Sequence, residues 1–293
     1  MEMTIKLLFI LSLFLFSFHC FSQEVEIIAD TISQEKEKRW DASLDVMNRY
    51  IWRGQSWGGN DIVVQPAINY ALSKKLTFGL WATTNFKNDY YFLDGSSTNG
   101  YQEIDLSITY QINKFLKIQV YDYYWPTVEK IEGIDNSFFN YGNDGVKTVD
   151  ANVLFDFSDV WKPLKVSISA FVAGNDFRYD ENGENPRQNF TTYAEIGYVF
   201  ENMFSKISKK IFQNIDLEPA IGAVLNNQAQ YYSAGDYDKI SFVNLSIKAT
   251  RELELSRGFS LPIYINYTHN AATKNTEQFG KNFFVLGIRL SYE

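Results

Sequence analysis

The chain has 293 residues, with 27 Lys and Arg against 35 Asp and Glu and a formal net charge of -8. It has no basic stripe, and this argues against a nucleic acid as its partner. Aromatic residues make up 17% of the chain, with 19 Tyr and 24 Phe. That proportion is typical of sheet-rich chains, because aromatic side chains fit a pleated surface. It is also typical of membrane barrels, whose two interfacial belts are aromatic.

The first predicted element is a signal peptide over residues 1–22. An apolar run at residues 7–16 has the length of a signal-peptide core and is too short for a membrane-spanning helix, which needs about 20 residues. Ser22 is the small residue at the expected cleavage site. The alternative is a lipoprotein acylated at Cys20, which the bulky His19 disfavours. Cleavage after Ser22 removes the single Cys, so the exported chain is expected to have no disulfide and no thiol chemistry.

A polar tail at residues 23–39 follows, and from Trp40 onward apolar and polar residues alternate with period two, the signal of half-buried strands. The alternation is clearest at residues 103–112, where every second residue is apolar. The pattern predicts twelve segments, several of them near the 9–11 residues that cross a bilayer obliquely. They are 40–52, 61–72, 75–86, 103–112, 115–126, 147–157, 163–174, 190–201, 213–226, 239–250, 258–268 and 282–292.

The connections between these segments alternate in length. Six longer connections are predicted to face outside, at 53–60, 87–100, 127–146, 175–189, 227–238 and 269–281. Short turns between them are typical of the periplasmic side of outer-membrane barrels, although 202–212 and 251–257 are longer than the others. The sequence therefore predicts an all-β fold over residues 40–293, a closed antiparallel transmembrane β-barrel of about twelve strands, with short periplasmic turns and long extracellular loops. A soluble β-sandwich also alternates but has no reason to sort its connections by length.

Aromatic residues of outward parity group near both ends of the segments, as two interfacial belts require. Tyr50 and Trp52 are assigned to the belt at the long-loop end. Two polar residues, Asn48 and Asp122, break the outward pattern. A β-bulge that resets the register or a position near water would each account for them.

The segment Tyr50-Ile51-Trp52-Arg53-Gly54-Gln55-Ser56 resembles the aromatic-Arg-Gly-x-Ser signature of the TorF family of porins. The resemblance extends to Phe78-Gly79-Leu80-Trp81-Ala82, Glu103-Ile104-Asp105 and Tyr124-Trp125-Pro126, and so covers roughly residues 40–126. It implies an outer-membrane barrel that forms a pore. It carries no binding residues over to this chain.

Charged residues of inward parity are the candidate functional residues, because charges face lipid only at a cost of about 2–4 kcal/mol for a mid-bilayer Lys or Arg. The candidates for the lumen and its ion selectivity are Asp45, Arg49, Glu103, Asp105, Glu195, Glu218 and Arg289. They favour a narrow channel for small hydrophilic solutes or ions, narrowed by inward aromatic residues. A structural or adhesive barrel is the alternative, in which these charges only satisfy one another.

Catalytic chemistry has little support in the sequence. His269 is the single histidine of the predicted mature chain, and no serine lies beside it, so an outer-membrane lipid hydrolase would have to assemble its pair across strands. We expect no enzyme activity, no cofactor and no metal site. The expected partners are outer-membrane lipids, the export and barrel-assembly machinery, and small solutes or ions.

Overall fold

The computed structural model describes residues 39–87, 100–128, 130–205, 214–226, 229, 232, 240–256, 258–272, 276 and 280–292. The predicted signal peptide and nearly all of the polar tail lie outside these residues. Within the described residues, no helix is long and apolar enough to cross a membrane.

The described chain is built from strands. In chain order they are β1 (Trp40–Met47), β2 (Tyr50–Trp52), β3 (Gln55–Trp57), β4 (Val63–Ala71), β5 (Leu76–Thr84), β6 (Gln102–Asn113), β7 (Leu116–Tyr124), β8 (Lys147–Asp156), β9 (Leu164–Gly174), β10 (Phe177–Arg178), β11 (Arg187–Gln188), β12 (Thr192–Tyr198), β13 (Ile215–Val224), β14 (Ser241–Arg251), β15 (Glu254–Ser256), β16 (Phe259–Ser260), β17 (Ile263–His269) and β18 (Asn282–Tyr292).

Twelve of these strands form one closed antiparallel barrel. Each pairs with its neighbour in chain order, in the sequence β1-β4-β5-β6-β7-β8-β9-β12-β13-β14-β17-β18. The first and last strands close the barrel with a continuous register from Ala42 opposite Tyr292 to Met47 opposite Gly287. This closure confirms the predicted fold class. It also pairs the two strand edges that an open sheet leaves free.

The alternation in the sequence becomes an apolar outer wall and a polar inner wall. On β6 the outward Ile104 and Leu106 are each 44% exposed, whereas the inward Glu103 and Asp105 are 7% and 5% exposed. Successive strand side chains point to opposite faces, so the same division recurs around the barrel. The outer wall is therefore a continuous apolar band.

Most connections at one end of the barrel are longer than those at the other, as predicted, and 199–214 is the exception. The end that we call the loop end carries 48–62, 85–101, 125–146, 175–191, 225–240 and 270–281. The other, the turn end, carries 72–75, 114–115, 157–163, 199–214 and 252–262, together with the start of β1 and the end of β18.

The first connection departs from the prediction. The chain leaves the barrel wall at Asn48, whose side chain donates to the Phe284 carbonyl at 3.2 Å and accepts from the Leu286 amide at 2.8 Å. These bonds replace strand pairing with β18, so the following residues no longer keep the parity of β1. The assignment of Tyr50 and Trp52 to the outer aromatic belt is wrong. Both side chains pack inside the barrel.

Asp122 keeps its outward parity and is covered rather than turned inward. Its carboxylate accepts hydrogen bonds from Lys147 Nζ at 2.6 Å and from the Tyr141 hydroxyl. The Lys147 ammonium also lies 3.8 Å from the centre of the Phe138 ring, and its side chain is fully buried. The connection between β7 and β8 therefore folds over this outward ion pair and shields it.

Candidate functional site in the barrel lumen

A hairpin folds into the lumen at the loop end. Strands β2 and β3 pair from Tyr50 opposite Trp57 to Trp52 opposite Gln55, and Arg53 and Gly54 form the two-residue turn. Both turn residues have positive φ, 46° and 81°, as a type I′ hairpin turn requires. We call residues Tyr50–Trp57 the lumen hairpin.

Gly54 lies directly against the backbone of β14. A Cβ built on it lies 1.7 Å from the Val243 carbonyl oxygen, so no side chain fits there. The Gly54 carbonyl accepts a hydrogen bond from Asn270 Nδ2 at 3.0 Å. The hairpin tip is thus fixed to the β14–β17 side of the barrel through backbone as well as side-chain contacts.

Arg53 anchors the hairpin tip to the wall. Its Nη2 donates to Asp150 Oδ2 at 2.6 Å and to Asn152 Oδ1 at 3.2 Å, and its Nη1 donates to the Tyr232 hydroxyl at 2.9 Å. The Asp150 side chain is fully buried, and it also accepts from the Tyr123 hydroxyl at 3.1 Å. We call this ion pair and its neutral donors the Arg53 latch.

Aromatic rings enclose the Arg53 latch. The guanidinium carbon lies 4.6 Å from the Trp52 ring and 4.8 Å from the Tyr193 ring. Trp52 stacks on Tyr232 at 5.5 Å, and Tyr193 stacks on the other side of Tyr232 at 5.7 Å. Phe171 completes the cluster and is fully buried. This packing keeps water from the ion pair, so its electrostatic attraction is stronger than that of a surface pair.

The protonation of the latch follows from these contacts. Burial disfavours the charge on Arg53, but the facing Tyr232 and Asp150 outweigh burial and raise its pKa well above the ordinary value. Burial also raises the pKa of Tyr232. Arg53 is therefore a permanent cation and Tyr232 a neutral hydroxyl at physiological pH.

A second cluster lies beside the hairpin and contains two of the predicted lumen acids. Glu103 accepts a hydrogen bond from the Tyr101 hydroxyl at 2.7 Å. Asp105 faces the same part of the lumen, and among the described residues its Oδ1 has no hydrogen-bond partner. Tyr50 packs between Trp81 and Tyr101, at 5.5 Å and 5.9 Å between ring centres. Two buried carboxyl groups thus lie beside the lumen hairpin.

Asp45 and Arg289 pair across the strands that close the barrel. Arg289 Nε donates to both oxygens of Asp45 at 2.9 Å, and the two residues are direct neighbours in the register. The predicted proximity of these two side chains is therefore confirmed. Because each neutralises the other, the pair contributes little net charge to the lumen.

The other predicted candidates are spread around the wall. Glu195 accepts hydrogen bonds from the Tyr193 hydroxyl and, at 2.7 Å, from Asn244 Nδ2. Glu218 lies opposite Lys248 on the neighbouring strand. Arg49 lies in the connection after Asn48, with its guanidinium 5.2 Å from the Phe283 ring. The seven candidates therefore do not form one cluster.

Burial along the lumen differs between the two ends. Inward residues at the loop end, such as Asp150, Phe171 and Val224, have no exposed surface. Inward residues at the turn end, such as Lys165 and Glu218, remain partly exposed. Within the described part of the chain, the lumen hairpin and its aromatic neighbours fill the loop-end half, whereas the turn-end half is accessible.

The motif that forms the Arg53 latch was visible in the sequence, but its place in the fold was not. The Tyr50–Ser56 motif stood out, but Tyr50 and Trp52 were assigned to the first strand and Arg53 to the outside-facing connection 53–60. Arg53 was therefore not among the predicted lumen residues. Gly54, which adopts positive φ readily, lies between strand-forming residues that include Tyr50, Trp52 and Trp57, and this is the feature that predicts a tight hairpin here.

In comparisons with known proteins, the chain is similar only to solved structures. No protein-family model and no curated protein matches the chain. The COG4313 outer membrane channel from Pseudomonas putida F1 is similar at 10% identity and a TM-score of 0.45, over 90% of this chain and 99% of that one. The KdgM porin is similar at 5% identity and a TM-score of 0.41, over 86% and 98% of the two chains. OprD from Pseudomonas aeruginosa is similar at 11% identity and a TM-score of 0.32, over 89% and 66%.

These scores are too low to carry an argument about this chain. The class that its own geometry defines is a closed twelve-stranded antiparallel barrel with an apolar exterior and a polar, partly filled interior. Membership of the TorF family stays a prediction that rests on the motif.

Proposed function

We propose that the protein is an outer-membrane barrel that forms a narrow, porin-like channel for small hydrophilic solutes or ions, with its loop end outside the cell. The lumen hairpin sets the constriction of this channel. No catalytic step enters the proposal. The charged lumen residues are spread around the wall rather than clustered, and His269 Nδ1 is hydrogen-bonded to Asn282 Oδ1 at 2.8 Å.

The observation that carries the membrane location is the exposed apolar outer wall. Large apolar side chains such as Phe284 and Leu286 are more than 60% exposed on the outside of the barrel. Exposure of a continuous band of this kind in water would be unfavourable by about 25 cal/mol per Å². Lipid removes that cost, and the closed barrel leaves no strand edge unpaired in the bilayer.

The channel rests on the polar inner wall. Charged and amide side chains face inward along the strands, and those at the turn end remain accessible. Charged linings concentrate the opposite ion and set selectivity. A structural or adhesive barrel is the second candidate. The buried Arg53 latch favours it, because a latch that keeps the lumen closed would prevent conduction.

Single-channel recording of the folded, purified protein in a planar bilayer tests the proposal. The folded state is checked first by a shift in gel migration between unheated and boiled samples. Discrete conductance steps support the channel. Folded protein that inserts without any conductance contradicts it and leaves the structural or adhesive barrel as the leading account.

A further inference from the structure

We propose that the turn-end half of the lumen contains a binding recess for a small zwitterionic solute, with one anionic and one cationic group on a short chain. The inference names a solute class for the proposed channel and to that extent rests on it. The recess is a cavity of about 330 Å³ on the inner wall, between β7 and β13. Its charged lining residues are Lys117, Asp156, Lys165, Glu195 and Glu218. Its volume is near the lower limit of ordinary small-molecule sites.

Small residues create the depth of the recess. Lys165, Gly197 and Ala220 are successive cross-strand neighbours on β9, β12 and β13. A Cβ added to Gly197 meets only the Pro219 carbonyl oxygen at 3.5 Å and the Ala220 Cβ at 3.6 Å, which are ordinary contact distances. The space above Gly197 is therefore open, and a larger side chain fits there without a backbone clash.

The cationic side of the recess is formed by Lys117 and Lys165. Asp156 lies within electrostatic range of both ammonium groups and is the direct cross-strand neighbour of Lys165. Asp156 Oδ1 already accepts the Ser158 amide at 3.0 Å and the Ser158 hydroxyl at 2.6 Å. Two lysines around one engaged carboxylate leave this side with net positive charge.

The anionic side is formed by Glu195 and Glu218. Both donors to Glu195, the Tyr193 hydroxyl and the Asn244 amide, meet the same oxygen, Oε2. Glu218 lies two residues from Ala220, opposite Lys248, whose ammonium lies 4.9 Å from the Tyr264 ring. Carboxylates on β12 and β13 thus face lysines on β7 and β9 across the floor of the recess.

This arrangement favours a solute whose two charges are separated by a short chain. β9 and β13 are two strand spacings apart, about 10 Å between their backbones, and the side chains reach inward from both. A solute with a single charge leaves one side of the recess unmatched, and an unmatched charged group in a confined site costs free energy.

Isothermal titration of the full-length folded protein in detergent, with 5-aminopentanoate as the probe, tests the inference. Pentanoate and pentylamine carry only one charge each and serve as matched ligands. We expect each to bind about tenfold more weakly than the zwitterion, a difference of about 1.4 kcal/mol. Equal binding of either single-charge ligand overturns the zwitterion assignment, and so does the absence of any zwitterion binding.

Variants locate the binding. Gly197→Val fills the recess, whereas Ser107→Val places the same side chain on the inner wall of β6, outside the recess. We expect the first to weaken binding at least about tenfold and the second to leave it unchanged. Lys165→Met and Glu218→Gln remove one charge from each side and are expected to weaken binding without adding bulk. Unchanged affinity in Gly197→Val, or in both charge variants should Gly197→Val fail to fold, contradicts the recess.

The titration does not depend on conduction. Recess-dependent binding by folded protein that shows no conductance refutes the channel and keeps the recess. If the protein conducts but its affinity for the zwitterion is unchanged in these variants, the recess is refuted and the channel is kept.

Discussion

Arg53 Nη2 lies 2.6 Å from Asp150 Oδ2, although 97 positions separate the two residues in the sequence. This contact joins the tip of an inward hairpin to the middle of the barrel wall. Because the Asp150 side chain is fully buried, loss of Arg53 leaves a charge without compensation. The position of the lumen hairpin therefore depends on this ion pair together with the contacts of Gly54.

Arg53→Ala is expected to release the lumen hairpin. Breaking a buried ion pair by removing one partner typically costs about 3–5 kcal/mol, and the barrel strands do not depend on this pair for their own hydrogen bonds. We expect the barrel to keep its heat-dependent gel shift, whereas limited proteolysis cuts within residues 50–60. Lys87→Ala, which removes an exposed partner of Asp61, is the control and should leave the cleavage pattern unchanged. A hairpin as protected in Arg53→Ala as in the unmodified protein would show that the latch does not hold it.

Arg289→Ala is expected to weaken the closure between β1 and β18. The Arg289 side chain is 47% exposed and that of Asp45 5%, so solvent screening reduces the contribution of the pair. We expect a loss of about 1–2 kcal/mol in the free energy of unfolding, measured by urea titration in lipid vesicles. The double variant Arg289→Ala with Asp45→Ala should recover part of the loss, because the buried carboxylate is removed with its partner. A larger loss in the double variant than in Arg289→Ala contradicts this explanation.

The barrel itself follows from the sequence to a large extent. Period-two alternation at residues 103–112 predicted both β6 and its inward acids, and each outward residue there is exposed as expected. The inward parity of Asp45 and Arg289 predicted their proximity, because first and last strands must pair to close a barrel. Alternation and closure are properties of the backbone, so a linear pattern is sufficient to reveal them.

The lumen contents do not follow in the same way. Parity placed Tyr50 and Trp52 outside. Asn48 broke the outward pattern, but the linear sequence did not distinguish a change of register there from a position near water. Asn48 ends the pairing of β1 through two side-chain hydrogen bonds to β18, which is more than 230 positions away. The contacts of Arg53 are also distant in sequence, at 97, 99 and 179 positions. Non-local contacts of this kind decide where a loop folds, and local periodicity carries no information about them.

The orientation of the barrel predicts which residues are reachable from outside the cell. Asn143 lies in a connection at the loop end and Ser73 in a turn at the other end. Single cysteines at these positions, with Cys20 as the chain's own cysteine, can be tested with a membrane-impermeant thiol reagent on intact cells. We expect labelling at Asn143→Cys and none at Ser73→Cys until the cells are broken. The reverse pattern would invert the proposed orientation.

Lumen acids are expected to give a weak preference for cations. Replacing Glu103 and Asp105 with Gln and Asn removes both ionisable carboxyl groups beside the hairpin, so the reversal potential under a salt gradient should shift toward anions. Arg49→Ala should shift it in the opposite direction. Arg289→Ala leaves the Asp45 charge unbalanced and should also favour cations. Reversal potentials that ignore all of these changes would remove these residues from the selectivity mechanism.

Replacement of the lumen hairpin tests the central claim most directly. Met47 and Val63 are cross-strand neighbours, so a short Gly-Ser turn can replace residues 49–61 without disturbing the pairing of β1 with β4. Single-channel conductance of this variant is then compared with that of the unmodified protein, both checked for folding by gel shift. If the barrel is a channel that the hairpin constricts, the variant conducts at least about twofold more, because a pore freed of its lining obstruction is wider. Equal or lower conductance from the folded variant contradicts the account.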